Sequence, residues 1–269
     1  MTQKSGAIVG GAEEFVEYLR EGPLAVVRLN RPDRLNALSE PMKDRLGELF
    51  EQLGRDDSVR AVLLCAAGPA FCASGDITTM GNFTVASARD RIKRAHRMIL
   101  GLANMEKPVV VAVRGAVAGI GWSLAMACDV IYASDTAYFS QVFKNVGLAP
   151  DGGGVYFLAQ NLGVLKAKEL VLSGRKLSAS EALGLGLVAR VSPDAVLEQE
   201  AKALAEKLAA GPTYAYGVGK KMFKQISTPS LESFLDAEAW AQSTALMSHD
   251  HVEGVRAFLE KRKPQFKGC

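Results

Sequence analysis

Short apolar runs alternate with longer amphipathic stretches along the first part of the chain. The apolar runs have strand length, are bounded by Gly, Pro, Asp or Arg, and predict strands over residues 24–30, 61–66, 109–113 and 130–133. The stretches between them have helical spacing and predict helices over residues 40–53, 86–105 and 124–128. This alternation predicts βα units packed on a mostly parallel sheet. One run, 109–113, is apolar at every position, as expected of a strand covered on both faces.

The pattern changes after about residue 155, where the strand signal fades. Helical spacing then predicts helices over residues 195–210, 213–226, 231–247 and 249–261. A helix end is indicated at Gly211 and Pro212, and Ser230 is placed as an N-cap. We therefore predict an α/β core over residues 1–205 and a helical C-terminal region over residues 206–269.

Composition narrows the class of protein. A chain of 269 residues with 48% hydrophobic residues can bury a large core without disulfides or metals. Its net charge of +3 is too small for the broad positive field of a nucleic-acid-binding protein. The 4 cysteines form no C-x-x-C pair, which fits reduced thiols and gives no zinc site or other metal site.

Membrane and export signals are not evident in the sequence. No segment approaches the roughly 18 consecutive apolar residues of a membrane span. Acidic residues interrupt the N-terminal segment too early for a signal peptide. We expect a soluble cytoplasmic protein that binds neither nucleic acid nor membrane.

Two glycine-rich segments follow predicted strands. In one, a buried strand leads into Gly115, Gly119 and Gly121 and then into a helix; the other is 71–80. Free N–H groups at such strand-to-helix turns favour negative charge, so the segments could converge on a phosphate or a developing oxyanion. The alternative is that these glycines serve only turns and packing.

A dehydrogenase reading is the competing interpretation of the same glycines. Gly115-x-x-x-Gly119-x-Gly121, together with Tyr216-x-x-x-Lys220, imitates the short-chain dehydrogenase pattern. A dinucleotide fingerprint belongs after the first strand of a βαβ unit, however, and here more than 100 residues precede it. The context argues against a nicotinamide cofactor.

Several ordered motifs together resemble the crotonase (enoyl-CoA hydratase/isomerase) superfamily. They occupy residues 29–38, 68–77, 107–115, 119–129, 147–153, 182–188 and 254–261. The resemblance implies a crotonase fold of repeated ββα units with a C-terminal helical region. It also implies an acyl-CoA thioester as substrate, with CoA as part of the substrate rather than a separate cofactor, and a homotrimer or dimer of trimers.

The resemblance assigns site residues as well. The backbone amides of Gly75 and Ile120 correspond to an oxyanion hole that holds the thioester oxygen. The positions that correspond to substrate binding, in the CoA site and the acyl pocket, are Arg34, Ala73, Asp76, Trp122, Ser123, Phe143, Phe258 and Lys261. The last two correspond to a phenylalanine and a lysine that often reach the site of a neighbouring subunit.

Departures from the family pattern bear on the reaction. Hydratases of the family use two glutamates to hold and activate water, and the matching positions here are Ser123 and Phe143. Neither side chain can act as a carboxylate base. Asp151 matches the carboxylate that moves a proton in the family's isomerases, although Pro-Asp-Gly-Gly also suits a plain turn or N-cap.

These matches predict an acyl-CoA double-bond isomerase with Asp151 as its single acid and base. The alternatives are another crotonase-family enzyme, such as an enoyl-CoA hydratase or an acyl-CoA lyase or synthase, and a non-catalytic acyl-CoA-binding protein.

Overall fold

The fold combines strands, which lie between residues 16 and 192, with helices along its whole length. The computed structural model describes residues 15–81, 83–227 and 230–269. The strands are β1 (Val16–Glu21), β2 (Leu24–Leu29), β3 (Ala61–Ala66), β4 (Val109–Val113), β5 (Ala116–Ala118), β6 (Val130–Ser134), β7 (Tyr138–Ser140), β8 (Leu177–Ser178) and β9 (Arg190–Ser192). The helices are α1 (Glu40–Arg55), α2 (Val85–Ala103), α3 (Ile120–Met126), α4 (Gly154–Leu162), α5 (Val164–Ser173), α6 (Ala179–Gly184), α7 (Asp194–Ala209), α8 (Thr213–Phe223), α9 (Leu231–Leu246) and α10 (His249–Leu259).

A six-stranded sheet lies at the centre of the core, in the order β1-β2-β3-β4-β6-β9. Only β1 runs antiparallel to its neighbour in this sheet, so the predicted mostly parallel arrangement is confirmed. Side chains alternate across a strand, and β4 sends Val109, Val111 and Val113 into one apolar cluster and Val110 and Ala112 into another. This strand is buried on both faces, as the sequence predicts.

Helices cover the two faces of the sheet. The face toward α1 and α2 holds the larger apolar cluster, to which α1 contributes Phe50. The other face is covered by α7, which buries Leu197, Ala201, Ala205 and Ala209 at four-residue spacing. Helix α7 packs on the sheet as far as Ala209, four residues past the predicted core boundary at residue 205. The division into a core and a helical C-terminal region stays a prediction.

A smaller sheet of β5, β7 and β8 lies beside the large one. The chain passes from β4 to β5 and then into α3, and again from β6 to β7 and then into α4. Each passage is a ββα unit with one strand in each sheet. In the unit between β3 and α2, an isolated bridge from Cys72 to Val117 takes the place of the second strand.

The chain after residue 155 holds more structure than the sequence pattern predicts. It contains α4, α5 and α6 and the strands β8 and β9, which are too short to show a period. The predicted N-cap is confirmed, since Ser230 accepts a hydrogen bond from the Ser233 backbone N–H. Lys220, the lysine of the Tyr216-x-x-x-Lys220 pattern, donates a hydrogen bond to Asp129 at 2.7 Å and so docks α8 on the core. No helix in the described part of the chain is long and apolar enough to cross a membrane.

Candidate active site

A cleft of about 550 Å³ opens where the loops after β3 and β5 meet the segment that precedes α4. It brings together residues from distant parts of the sequence. Of the residues that the resemblance assigns to the site, the cleft is lined by Arg34, Ala73, Gly75, Asp76, Ile120, Phe143 and Asp151.

Two glycines allow the two loops to meet. Gly119 has φ +51°, and a Cβ there would lie 2.1 Å from the Ser74 Oγ. A Cβ on Gly121 would lie 2.6 Å from the Cys72 Sγ. Both separations are far shorter than a van der Waals contact, so a side chain at either glycine would push the 72–75 loop away from the start of α3. The predicted convergence of the two glycine-rich segments follows from this close approach.

The backbone N–H groups of Gly75 and Ile120, two residues that line this cleft, have no hydrogen-bond acceptor among the described residues. Ile120 is the first residue of α3, where a helix offers no internal acceptor for the N–H. Gly75 pairs with Leu38, but the bonds of that bridge are made by the Ser74 carbonyl and the Asp76 N–H. Both amides are therefore available to an oxygen atom that carries negative charge.

The carboxyl group of Asp151 has no hydrogen-bond partner at Oδ1 among the described residues, and this atom is buried. The backbone carbonyl of Asp151, in contrast, accepts hydrogen bonds from the Ser123 Oγ at 3.0 Å and from the Gly154 N–H at 3.1 Å. The N-cap of α4 is Gly153, and no side chain caps this helix. Asp151 is thus fixed by its backbone, and its side chain does not serve as a helix cap.

Burial raises the pKa of Asp151 above the ordinary value for aspartate. The positive charges of Lys43, Arg91 and His96 oppose this effect. A carboxylate with a raised pKa accepts a proton more readily than an ordinary one, which suits a general base. The environment of Asp151 is therefore favourable for proton transfer.

Asp76 lies in the same cleft but is occupied by hydrogen bonds. Its carboxylate accepts from the Thr78 N–H at 2.9 Å, the Thr78 Oγ1 at 2.6 Å and the Arg31 guanidinium at 2.6 Å. The hydrogen bond from the Thr78 side chain, followed by the Arg31 contact, lowers the pKa of Asp76 to about 2. This carboxylate caps the short 3-10 turn Ile77–Thr79 and ties it to Arg31, so it has no capacity left for proton transfer.

The structure places Trp122 and Ser123 behind the cleft instead of on its wall. Trp122 is buried in the core against Phe139, with ring centroids 5.5 Å apart. Ser123 is fully buried, and its hydroxyl is used by the Asp151 carbonyl. Helix α3 begins with Ile120 at the cleft, and the two positions after Gly121 turn inward, so neither side chain lines the cleft. A contact of either residue with substrate stays a prediction.

Phe258 and Lys261 lie outside the cleft of this chain. Phe258 lies on a groove between the C-terminal helices and is 83% exposed. Lys261 follows α10 and is exposed. The single chain therefore does not bring them to Asp151, and their assignment to a neighbouring subunit's site stays a prediction.

Two positively charged residues that the sequence did not single out also line the cleft, Lys43 on α1 and Arg91 on α2. Both bond one oxygen of Glu40, at 2.7 Å and 2.6 Å. The spacing Glu40-x-x-Lys43 was a visible signal of an ion pair, but nothing in the sequence indicated that the pair would lie in a cleft. Arg91 joins it only through the packing of α2 on α1.

A larger groove of about 850 Å³ runs between α1, α2 and α8. It is lined by charged residues of both signs, and some of these are paired with one another, as in the contact of Arg97 with Glu51 at 2.7 Å. Neither the free amides nor Asp151 belongs to it. The smaller cleft is the better candidate because it combines free donors with a free carboxyl group.

In this core of ββα units, one cleft brings together two residues with free amides and a carboxyl group with a buried, unpartnered oxygen. The enoyl-CoA hydratase/isomerase family model matches residues 20–269. The chain is 38% identical to 1,2-epoxyphenylacetyl-CoA isomerase of Escherichia coli (strain K12), covering 95% of this chain and 99% of that protein. It is 33% identical to the mitochondrial enoyl-CoA hydratase of Pongo abelii, covering 92% of this chain and 85% of that protein.

Solved structures agree with the sequence relatives. The enoyl-CoA hydratase from Bacillus anthracis superposes with a TM-score of 0.90 at 30% identity, covering 95% of this chain and 100% of that one. The chain belongs to the enoyl-CoA hydratase/isomerase family, and the predicted crotonase fold is confirmed. The names of its relatives include both hydratases and isomerases, so the family alone does not decide between the two reactions.

Proposed function

We propose that this protein is an acyl-CoA double-bond isomerase in which Asp151 is the single acid and base. The observation that carries the proposal is the combination, in one cleft, of two amides without acceptors and one buried carboxyl oxygen without a donor. The amides of Gly75 and Ile120 fit a thioester oxygen, and removing one such donor typically costs on the order of 3 kcal/mol of transition-state stabilisation.

The reaction needs only these groups. With the thioester oxygen on the two amides, Asp151 takes a proton from C2 of a 3-enoyl-CoA, and the electron pair of the C–H bond enters the thioester as an enolate. The double bond between C3 and C4 then takes the proton from Asp151 at C4, and a double bond forms between C2 and C3. The carboxyl group returns to its starting state, and no water enters the product.

Isomerisation is favoured over hydration by the groups around Asp151. Hydration needs a second group to hold and activate water, and the two positions that correspond to hydratase glutamates are Ser123 and Phe143. The Ser123 hydroxyl is buried and donates to a backbone carbonyl, while Phe143 is apolar. The remaining carboxylate of the cleft, Asp76, is held by Arg31 and Thr78.

The test is incubation of the purified protein with a straight-chain 3-enoyl-CoA and, separately, with the matching 2-enoyl-CoA. We expect the 3-enoyl ester to gain the absorbance of a conjugated thioester with no change in mass. Hydration of the 2-enoyl ester would add the mass of one water. Fast water addition without isomerisation would contradict the proposal, and binding of both esters without any turnover would favour an acyl-CoA-binding protein.

We further propose that the active protein is a homotrimer or a dimer of trimers, as the family resemblance implies. The helices α9 and α10 leave large apolar side chains exposed, including Trp240 at 78% and Phe258 at 83%. Exposed apolar surface of this kind is typical of an interface. Light scattering at micromolar concentration should give a mass that is a multiple of three chains; a monomer would contradict this. A cytoplasmic location likewise stays a prediction.

A further inference from the structure

Three charged side chains form an ionic cluster at the cleft, and two of them, Lys43 and Arg91, line it. Glu40 and Lys43 lie on the first turn of α1, and Arg91 reaches them from α2. Lys43 Nζ and an Arg91 nitrogen both contact the same Glu40 oxygen, at 2.7 Å and 2.6 Å. The Lys43 side chain is only 4% exposed and that of Arg91 12%. Glu40 therefore holds two cations in a largely buried position. The side chains of a solvated surface pair would be free to move.

Lys43 has hydrogen-bonding capacity to spare. An ammonium group carries three N–H donors, and the only hydrogen bond of Lys43 among the described residues is the one to Glu40. Arg91 has further contacts, with the Asp76 backbone carbonyl at 3.3 Å and with the ring of Phe83. Of the two cations that are paired with Glu40, Lys43 is the one whose donors can be offered to a ligand.

Lys43 and Asp151 line the same cleft, so an acyl group whose reacting carbon reaches Asp151 shares that cleft with the Lys43 ammonium. The positive charge of Lys43 also opposes the effect of burial on the pKa of Asp151. A hydrocarbon beside the ammonium would displace water and leave an N–H donor without an acceptor. An oxygen atom in the same place would accept a hydrogen bond from that donor.

The charge balance of the wall indicates what kind of oxygen fits. Lys43 and Arg91 are both paired with Glu40, and the carboxyl group of Asp151 belongs to the same cleft. Asp76 is neutralised separately by Arg31 at 2.6 Å, and Arg34 lies at the exposed rim. A carboxylate on the acyl group would add a third negative charge beside Glu40 and Asp151. A neutral acceptor, such as an ether, epoxide, hydroxyl or ketone oxygen, adds no negative charge to the cleft.

We propose that Lys43 is a specificity-determining residue that donates a hydrogen bond to a neutral oxygen on the acyl group, so that the preferred substrates are oxygenated acyl-CoA esters. The inference rests on the proposed function, because it assumes that the acyl group lies beside Asp151. Glu40 and Arg91 act as positioning residues that hold the Lys43 ammonium in the cleft wall.

The experiment measures binding, not turnover, with pairs of unreactive esters of equal shape. One pair is 4-methoxybutanoyl-CoA and hexanoyl-CoA, which differ by an oxygen in place of a methylene group. The other pair is 2-methoxyphenylacetyl-CoA and 2-ethylphenylacetyl-CoA, which places the oxygen on a ring. Calorimetry gives the dissociation constants for the wild type, Lys43→Met and Lys43→Arg, with Lys207→Met on the exposed face of α7 as the matched control.

The wild type and the control should bind the ether of at least one pair about tenfold more tightly than its hydrocarbon match, as expected for a hydrogen bond from a charged donor. Lys43→Met should abolish this preference without weakening hydrocarbon binding, and Lys43→Arg should restore part of it. Glu40 keeps Arg91 as a partner in Lys43→Met, so the fold should persist, which circular dichroism checks.

Each other result has a distinct meaning. Equal ether preference in the wild type and Lys43→Met, or no preference in either pair, would overturn the role of Lys43 while leaving the proposed function standing. An equal loss of affinity for every ester in Lys43→Met would also overturn it, because the lysine would then act on the cleft as a whole. Failure of the wild type to bind any of the CoA esters would instead contradict the proposed function.

Discussion

Asp76 and Asp151 line the same cleft, but the carboxylate of Asp76 accepts several hydrogen bonds and the Oδ1 atom of Asp151 accepts none among the described residues. Asp76 lies in the loop that follows β3, and its carboxylate accepts hydrogen bonds from Thr78 and Arg31. Asp151 precedes α4, and its backbone carbonyl accepts hydrogen bonds from the Ser123 hydroxyl and the Gly154 N–H, while its carboxyl group has no partner at Oδ1 among the described residues. The pKa of the first is lowered to about 2, and that of the second is raised.

The difference shows that hydrogen bonding decides whether a carboxylate in this cleft stabilises the fold or stays basic enough to accept a proton. Satisfying a buried carboxylate stabilises the fold and removes its basicity. A buried carboxylate without hydrogen-bond donors destabilises the fold and is more basic, because burial then favours the protonated form. Asp76 therefore contributes stability to the loop that presents the Gly75 amide, while Asp151 contributes reactivity.

The largest expected effect is on turnover. Asp151→Asn should lower kcat for a 3-enoyl-CoA about a thousandfold, since a general acid and base contributes roughly two to four orders of magnitude. Asp76→Asn should lower it less than tenfold, because that carboxylate transfers no proton. Steady-state kinetics on both variants tests this, and similar losses in the two would erase the distinction between the carboxylates.

Stability should respond in the other order. Asp76→Asn should reduce the free energy of unfolding at pH 7 by about 2 kcal/mol, since a charged acceptor of buried hydrogen bonds is lost. Because folding lowers the pKa of Asp76 from 3.8 to about 2, its contribution is present above about pH 4 and is lost as pH falls through 2. Urea unfolding should therefore show the gap between the wild type and the variant closing between pH 5 and pH 2. A gap independent of pH would contradict this linkage.

A smaller effect of opposite sign is expected at the other carboxyl group. Folding raises the pKa of Asp151, so its contribution to stability is full below its unfolded pKa and is lost as pH rises through its folded pKa. At pH 7 the ionised group therefore destabilises the fold, and Asp151→Asn should be more stable than the wild type by about 1 kcal/mol. Thermal unfolding at pH 7 measures the difference. A clear destabilisation would mean that the carboxylate has a partner in the fold.

The smallest effect is expected from the residue behind Asp151. Ser123→Ala removes the hydroxyl donor of the Asp151 carbonyl and should lower kcat a few-fold, about 1 kcal/mol for one lost hydrogen bond. The dissociation constant for CoA should not change, because Ser123 is fully buried and does not itself line the cleft. A weaker affinity for CoA with unchanged kcat would argue that Ser123 acts on the ligand and not on Asp151.

Much of the core could be predicted from the sequence because its signals are local. The strands β3 and β4 are continuous apolar runs, and their burial on both faces follows from that pattern alone. The strands β5 and β7 have three residues each, too few to show a period, so the second sheet was not predicted. Its presence depends on the chain turning back after each long strand.

The site was only partly predictable for a similar reason. Asp151 was selected through the family resemblance, since Pro-Asp-Gly-Gly fits a turn equally well, and its missing hydrogen-bond donor is a property of the folded chain. The spacing of Glu40 and Lys43 indicates only an ordinary ion pair within one helix. The packing of α2 on α1 adds Arg91 to this pair, and that contact cannot be read from the sequence. The position of Trp122 in the core depends on the packing of α3, because two residues along this helix lead from Ile120 at the cleft to the opposite side of the helix.

The most direct test of the central claim is exchange of the C2 protons of an acyl-CoA with deuterium oxide, followed by mass spectrometry. This exchange reports removal of a proton beside the thioester whatever product forms afterwards. The wild type and Asp76→Asn should catalyse incorporation of deuterium at C2, and Asp151→Asn should reduce it about a thousandfold. Exchange at the wild-type rate in Asp151→Asn would show that another group removes the proton and would contradict the account.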